Sequence, residues 1–249
     1  MFDTHAHLDH ERFADDRVAV MARARTAGVT RVLVPGLQPS HWGALRLLSL
    51  GVGWDFAIGT HPQCLPEALA VAGNIYDVTP DFDDLDGACA VGECGLDGAV
   101  HVPMDVQVAV LEQHLGLARE AKLPVILHCW HAHDRMLATL QRWAPLTGVM
   151  HSYSGGADLV QKYIAMGLHI SFAGAVTRPN ARRPVASLLA VPLDRLLAET
   201  DAPDQSPDPH RGRCEPAFLV DILAAMARIR GEDVTAAVTA NAVGLFGPR

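Results

Sequence analysis

PVILHCWHAHDRMLATLQRWAPLTGVMHS, residues 124–152, reads as strand, helix and strand in turn. PVILHC at 124–129 and TGVMHS at 147–152 are short apolar runs, and residues 132–143 between them carry helical spacing. Nearly continuous apolar strands joined through a helix belong to a parallel sheet covered on its faces. Both strands also end on a histidine, His128 and His151.

The pattern repeats in both directions from this unit. Before it stand the N-terminal stretch MFDTHAHLDH, RVLVPG at 31–36, WDFAIGTHP at 54–62 and ACAVGECGLD at 88–97; after it stand LHISFAG at 168–174 and RLLAETDAP at 195–203. Helical patterns fill 11–27, 40–50, 104–121, 158–166 and 181–190, then a helix opened by Glu215 and Pro216, then 232–246. Residues 63–87 read less regularly, as a helix or two broken at Gly73 and Pro80. Eight strand-then-helix units predict an α/β fold, a closed (β/α)8 TIM barrel, as a single domain over residues 1–249. An open doubly wound sheet is the alternative, and the Gly-rich phosphate loop it favours after the first strand is absent from the sequence.

Composition narrows the function. The hydrophobic fraction of 49% in 249 residues is ample for a full core. No uninterrupted apolar run reaches about 18 residues, the length of a spanning helix. Met1 leads straight to Asp3 and His5 without a basic or apolar leader, so the expectation is a soluble cytoplasmic protein with no membrane contact. Cys64, Cys89, Cys94, Cys129 and Cys214 form no CxxC pair and suit reduced thiols. The net charge of −8 argues against a broad grip on duplex DNA but leaves a nuclease open, since bound cations reverse the local field.

The ionisable residues fall at equivalent points. His5 and His7 close the first strand, spaced so that both share a face; His61 follows the third. Glu93 ends the fourth, His128 the fifth, His151 the sixth and Asp201 the eighth. A barrel builds its active site at these C-terminal ends. Imidazoles with two carboxylates suit zinc, manganese or a similar divalent ion, and the set is too large for one tetrahedral site. Two ions about 3.5–4 Å apart need an anionic bridge. Some barrel hydrolases use a carbamylated lysine there, but Lys122 precedes its strand and Lys162 sits in a helix, which leaves Glu93.

DTHAHLD, AIGTHP, VGECGLD, PVILHC, GVMHSYSGG, LAETDAPD and TANAVGLFG occur in an order and spacing that resembles the TatD-related metal-dependent DNases, within the amidohydrolase-like barrels. The resemblance spans essentially the whole chain. It implies two divalent metal ions (Zn, Mn, Mg or similar), with His5, His7, Glu93 and Asp201 on the first and Glu93, His128 and His151 on the second. His61 looks like the family's HP histidine near substrate and metals, without being assigned as a ligand. The chain departs from the family where an Arg often follows the fifth-strand histidine by two residues, because that place holds Trp130. Arg178, Arg211 and Arg213 on the last two barrel loops are the cations that compensate for it.

The expected activity is hydrolysis of DNA phosphodiester bonds, in single strands or at ends, by a water of lowered pKa whose proton passes to Asp201. Glu93 and Asp201 are thus the expected catalytic carboxylates, and His61, Trp130, Arg178, Arg211 and Arg213 the expected substrate contacts. Glu199 faces the same side as Asp201 and is expected to orient neighbours. Asp9 and His10 read mainly as surface capping groups. The alternative is a metal-dependent amide or ester hydrolase acting on a small metabolite or aminoacyl adduct, since such a barrel serves carbonyl chemistry equally well.

Overall fold

Eight short strands lie side by side in chain order, each paired in parallel with the next. They are β1 (Phe2–Asp3), β2 (Arg31–Pro35), β3 (Asp55–Ile58), β4 (Ala90–Asp97), β5 (Val125–Trp130), β6 (Gly148–Met150), β7 (Leu168–Phe172) and β8 (Leu196–Ala198). This computed structural model describes residues 1–70 and 74–248. Between β8 and β1 the ring is drawn together by a bridge between Ala6 and Ala202, by His7 N–H donating to Ala202 O at 2.7 Å and by Asp201 N–H donating to His5 O at 2.9 Å. The result is a nearly closed (β/α)8 barrel, the predicted architecture.

Helices α1 (Arg17–Thr26), α2 (Pro39–Val52), α3 (Met104–Ala121), α4 (His133–Gln141), α5 (Ala157–Ala165), α6 (Arg182–Ala190), α7 (Leu219–Arg230) and α8 (Thr235–Phe246) surround the strands. The connection from β3 to β4 departs from expectation: among the described residues it holds only 3-10 turns, at Pro62–Cys64, Glu67–Ala70, Ile75–Asp77 and Asp83–Leu85. Pro62, Pro66 and Pro80 lack the N–H that a helix needs, and the Asn74 and Asp81 side chains accept from Tyr76 and Asp83 N–H at 3.2 and 2.9 Å, competing with helical bonds. The break expected at Gly73 lies outside the described residues. The first predicted helix is also divided, because His10 Nδ1 caps a separate 3-10 turn at Glu11–Phe13, the capping role read for it in the sequence.

Two apolar layers follow from the alternation of side chains along the strands. One packs strand residues such as Val34, Ile58, Leu127 and Ile170 against the helices. The other fills the barrel interior with Phe2, Leu33, Ala57, Ile126, Val149 and Leu197, and α8 seals that end with Ala242, Leu245 and Phe246. Asn241 clamps this plug, donating to Leu193 O at 2.7 Å and Leu196 O at 3.0 Å. With the N-terminal end sealed, the opposite mouth is where polar groups collect.

Candidate metal centre

Glu93 sits in β4 where the register against β5 shifts between Val91 and Cys94, an irregularity of the kind that re-aims a side chain. Just beyond it Gly95 pairs with His128, and a Cβ on Gly95 would meet His128 O at 2.0 Å. Only glycine permits this approach, which sets His128 beside Glu93. The Glu93 carboxylate is buried, and its two oxygens face different imidazoles. Oε2 lies 3.1 Å from His5 Nε2 and 3.6 Å from His7 Nε2. Oε1 lies 2.7 Å from His151 Nε2, 3.2 Å from His128 Nδ1 and 3.2 Å from His61 Nε2. Asp201 Oδ1 joins the first set, 3.8 Å from His5 Nε2 and 3.7 Å from His7 Nε2.

These spacings fit divalent ions. Bonds of about 2.0–2.1 Å to a tetrahedral ion place neighbouring donors about 3.4 Å apart. His5 Nε2 and His7 Nε2 lie 3.1 to 3.8 Å from each other, from Glu93 Oε2 and from Asp201 Oδ1. Glu93 Oε2 is buried with no hydrogen-bond partner, an unfavourable state for a carboxylate oxygen that a cation relieves. Overlapping groups His5–His7–Glu93, His61–Glu93–His128 and His5–His151–Glu199 each bring their donor atoms within 4.8 Å of one another.

Hydrogen bonding around the rings differs from one histidine to the next. His128 turns Nε2 toward Asp97 Oδ2 at 3.4 Å, which favours the proton on Nε2 and leaves the Nδ1 lone pair for the centre. His151 turns Nδ1 toward Glu199 Oε1 at 3.3 Å and presents Nε2 in the same way. At His61 the order is reversed: Nδ1 accepts from Gln63 N–H at 3.1 Å, so the neutral ring carries its proton on Nε2 and donates toward Glu93 Oε1. His61 also belongs to one of the three donor groups, with Glu93 and His128. Glu199 also accepts from Ser152 N–H at 2.6 Å and Ser171 Oγ at 2.7 Å, so its oxygens are occupied in orienting neighbours.

Burial opposes charge on every group here, and specific partners decide the outcome. It would raise the Glu93 pKa, but His151, His61 and His5 outweigh it and hold the carboxyl well below its ordinary range. It would lower the His151 and His128 values, yet Glu93 with Glu199 or Asp97 raises both. At His7 and His61 burial prevails and the values fall.

The outer framework holds residues that sequence reasoning passed over. Gln63 donates to Asp97 Oδ2 at 2.7 Å while its backbone serves His61, so it links two histidines. Gln107 pins the Asp97 backbone, accepting from its N–H at 2.8 Å. Asp3, whose pKa burial pushes up to about 8, accepts from Thr200 N–H at 2.9 Å and Thr200 Oγ1 at 2.6 Å, tying the chain before His5 to the chain before Asp201. Gln63 and Gln107 carry no charge signal, but Asp97 stood in the GECGLD motif and was legible there.

A cavity of about 770 Å³ opens over the centre, and Trp130 and Arg178 line it together with Arg183, which sequence reasoning missed. Neither the Arg178 nor the Arg183 guanidinium makes a hydrogen bond or ion pair with a described residue. Arg211 lies in the adjoining groove, paired with Asp208. Arg213 lines neither cavity: it donates to Asp16 Oδ1 and Oδ2 at 2.7 Å each and to Glu215 at 2.9 Å, over the Phe13 ring. In this structure its guanidinium is turned to Asp16, just ahead of α1, and to Glu215.

The TatD related DNase family model matches residues 2–247. The chain belongs to the TatD family. A TatD relative from Klebsiella pneumoniae (strain 342), named 3'-5' ssDNA/RNA exonuclease TatD, is 38% identical over 262 residues, covering 99% of this chain and 98% of its own. The TatD fold also relates it to the metal-dependent hydrolase YabD of Bacillus subtilis (strain 168), 32% identical, covering 99% of this chain and 98% of its own. Among solved TatD structures, the YJJV homologue from Escherichia coli K12 superposes with a TM-score of 0.85 at 29% identity, covering 99% of this chain and 97% of that one.

Proposed function

We propose that the chain is a divalent-metal-dependent phosphodiesterase acting on DNA, as single strands or at strand ends, with two ions joined through Glu93. The observation that carries this reading is the division of the Glu93 oxygens, Oε2 toward His5 and His7, Oε1 toward His128 and His151. His5, His7, Glu93 and Asp201 would hold one ion of the zinc, manganese or magnesium class, and Glu93, His128 and His151 would hold the other. When bound, the ions supply Lewis-acid polarisation of a phosphoryl oxygen and a water of lowered pKa.

The chain's own groups do the rest. The Asp201 carboxylate takes the proton: burial would raise its pKa, but His5, His151 and His7 keep it low, so it is ionised at neutral pH. His61 steadies Glu93 Oε1 through its Nε2 proton. Arg178 and Arg183 bring unpaired positive charge to the cavity and suit the non-bridging phosphate oxygens. The nuclease names of the relatives support phosphodiester over amide or ester cleavage. No helix among the described residues is long and apolar enough to cross a membrane, and five unpaired cysteines suit a cytoplasmic location.

The test is turnover by purified protein loaded with manganese, zinc or magnesium, on single-stranded and duplex oligonucleotides and a set of amide substrates. Metal-dependent cleavage of single strands is the expected result. DNA turnover no faster than in the metal-free control, with an amide turned over, would overturn the reading.

A further inference from the structure

Three of the four tryptophans are occupied within the fold. Trp42 is buried and donates to Gly59 O at 2.9 Å, Trp54 is buried, and Trp143 donates to Glu112 at 3.1 Å under the Arg119 guanidinium. Trp130 is 45% exposed, in the wall of the metal cavity. Its indole N–H has no partner among the described residues. Leaving so large an apolar ring open to water is unfavourable unless something covers it.

The ring is held on a rigid element. Trp130 is the last residue of β5, pairs with Asp97 of β4, and accepts from Gly98 N–H at 2.8 Å. It lies two residues beyond His128, so both side chains leave the strand on the same face. His131, its aromatic neighbour, stands at 74° to it with centroids 4.5 Å apart. The same cavity carries Arg178 and Arg183, two cations without a hydrogen bond or ion pair to any described residue. An open indole, free guanidinium groups and a cation centre within one cavity match the parts of a nucleotide, a flat base joined to a phosphate.

We propose that Trp130 is a stacking platform for the nucleobase of the nucleotide cleaved at the metal centre, an inference that rests on the phosphodiesterase reading. A base inside a duplex is already stacked on both faces and must leave its neighbours to reach the indole, so the platform selects single strands and frayed ends. Stacking is tolerant of base identity because every base presents a π-face.

The test is calorimetric binding of dAMP and of 2-deoxyribose 5-phosphate to the metal-loaded wild type, Trp130→Phe and Trp130→Ala. In the wild type dAMP binds tighter by about tenfold, within the range typical of one base on one aromatic ring. Trp130→Ala brings the ratio near one, and Trp130→Phe keeps most of it. A wild-type ratio near one, or a ratio unchanged in Trp130→Ala, overturns the platform whatever the enzyme does to DNA. A Trp130-dependent ratio in an enzyme that cleaves no oligonucleotide upholds the platform and removes the phosphodiesterase reading instead.

Discussion

Gln205 Nε2 donates to Asp201 Oδ2 at 2.5 Å, and by doing so leaves Asp201 Oδ1 to face His5 and His7. The same nitrogen donates to Ser152 Oγ at 2.5 Å. All three residues adopt left-handed backbone, with φ of 51° at Gln205, 54° at Asp201 and 42° at Ser152. Side chains other than glycine enter this region at a cost of about 1–3 kcal/mol each, and such positions gather at functional sites where surrounding bonds hold them. Here Asp201 N–H is held by His5 O at 2.9 Å and Ser152 N–H by Glu199 Oε1 at 2.6 Å. The loops after β6 and β8 are thus locked to each other across the centre.

Gln205→Ala releases Asp201 Oδ2 without touching a metal donor. Loss of an outer partner typically weakens metal affinity by about 10–100-fold. The expected result is an activity curve displaced to higher metal concentration, with kcat largely recovered at saturation. A metal dependence identical to wild type would show that the Asp201 geometry does not need Gln205.

Glu93→Ala removes the carboxylate shared by both sets of imidazoles, whereas His128→Ala removes a donor from one. Elemental analysis of the purified variants should find neither ion retained at wild-type occupancy in the first, and partial content in the second. Two ions at full occupancy in Glu93→Ala would remove Glu93 from the bridging role.

The strand ends were legible because burial on both faces leaves near-continuous apolar runs, and a His, Glu or Asp at the close of such a run stands out. RVLVPG shortens to a strand of five residues and PVILHC shifts by one to Val125–Trp130, and both keep their place in the barrel. The β3–β4 connection was read too regularly, since its helical spacing competes with prolines and with Asn74 and Asp81 side chains that bond their own backbone. Gln63 and Gln205 were invisible for a different reason. They are neutral, sit in turns, and matter only through which oxygen or nitrogen of an Asp or His they satisfy. The ion pairing of Arg213 was not legible, because its partner Asp16 is 197 residues away in sequence.

His114 gives the fold a pH dependence separate from the metal centre. It is fully buried, Nδ1–H donates to Val110 O at 2.8 Å, and Nε2 accepts from Thr60 N–H at 3.1 Å, so the neutral ring is fully used. Burial pushes its pKa down to about 4. The unfolded chain therefore takes up this proton from about pH 6.5 downward while the native chain does so only near 4, and stability must fall as pH drops through that window. The loss is on the order of 3 kcal/mol at most. His114→Gln, which can still accept from Thr60 but does not titrate, should be less stable at neutral pH and have a shallower decline between pH 6.5 and 4 in urea unfolding. The remaining histidines titrate in both proteins and cancel in the difference, so equal slopes would refute a buried neutral His114.

The arginines separate binding from stability. Arg178 and Arg183 line the cavity without a hydrogen bond or ion pair to any described residue, so their positive charge is available to a strand; Arg213 is paired with Asp16 and Glu215. Arg183→Ala and Arg178→Ala should each raise KM for a single-stranded oligonucleotide and reduce the salt slope by about 0.7, the share of one phosphate contact on a single strand. Arg213→Ala should leave both unchanged. It instead removes a partly exposed ion-pair network worth on the order of 1 kcal/mol, which lowers Tm by about 2–4 °C in a chain of this size. Thermal melts and a salt series on the three variants distinguish the roles. A KM increase in Arg213→Ala with unchanged Tm would return that residue to the substrate path, and unchanged salt slopes in both cavity variants would mean that the metal centre alone holds the phosphate.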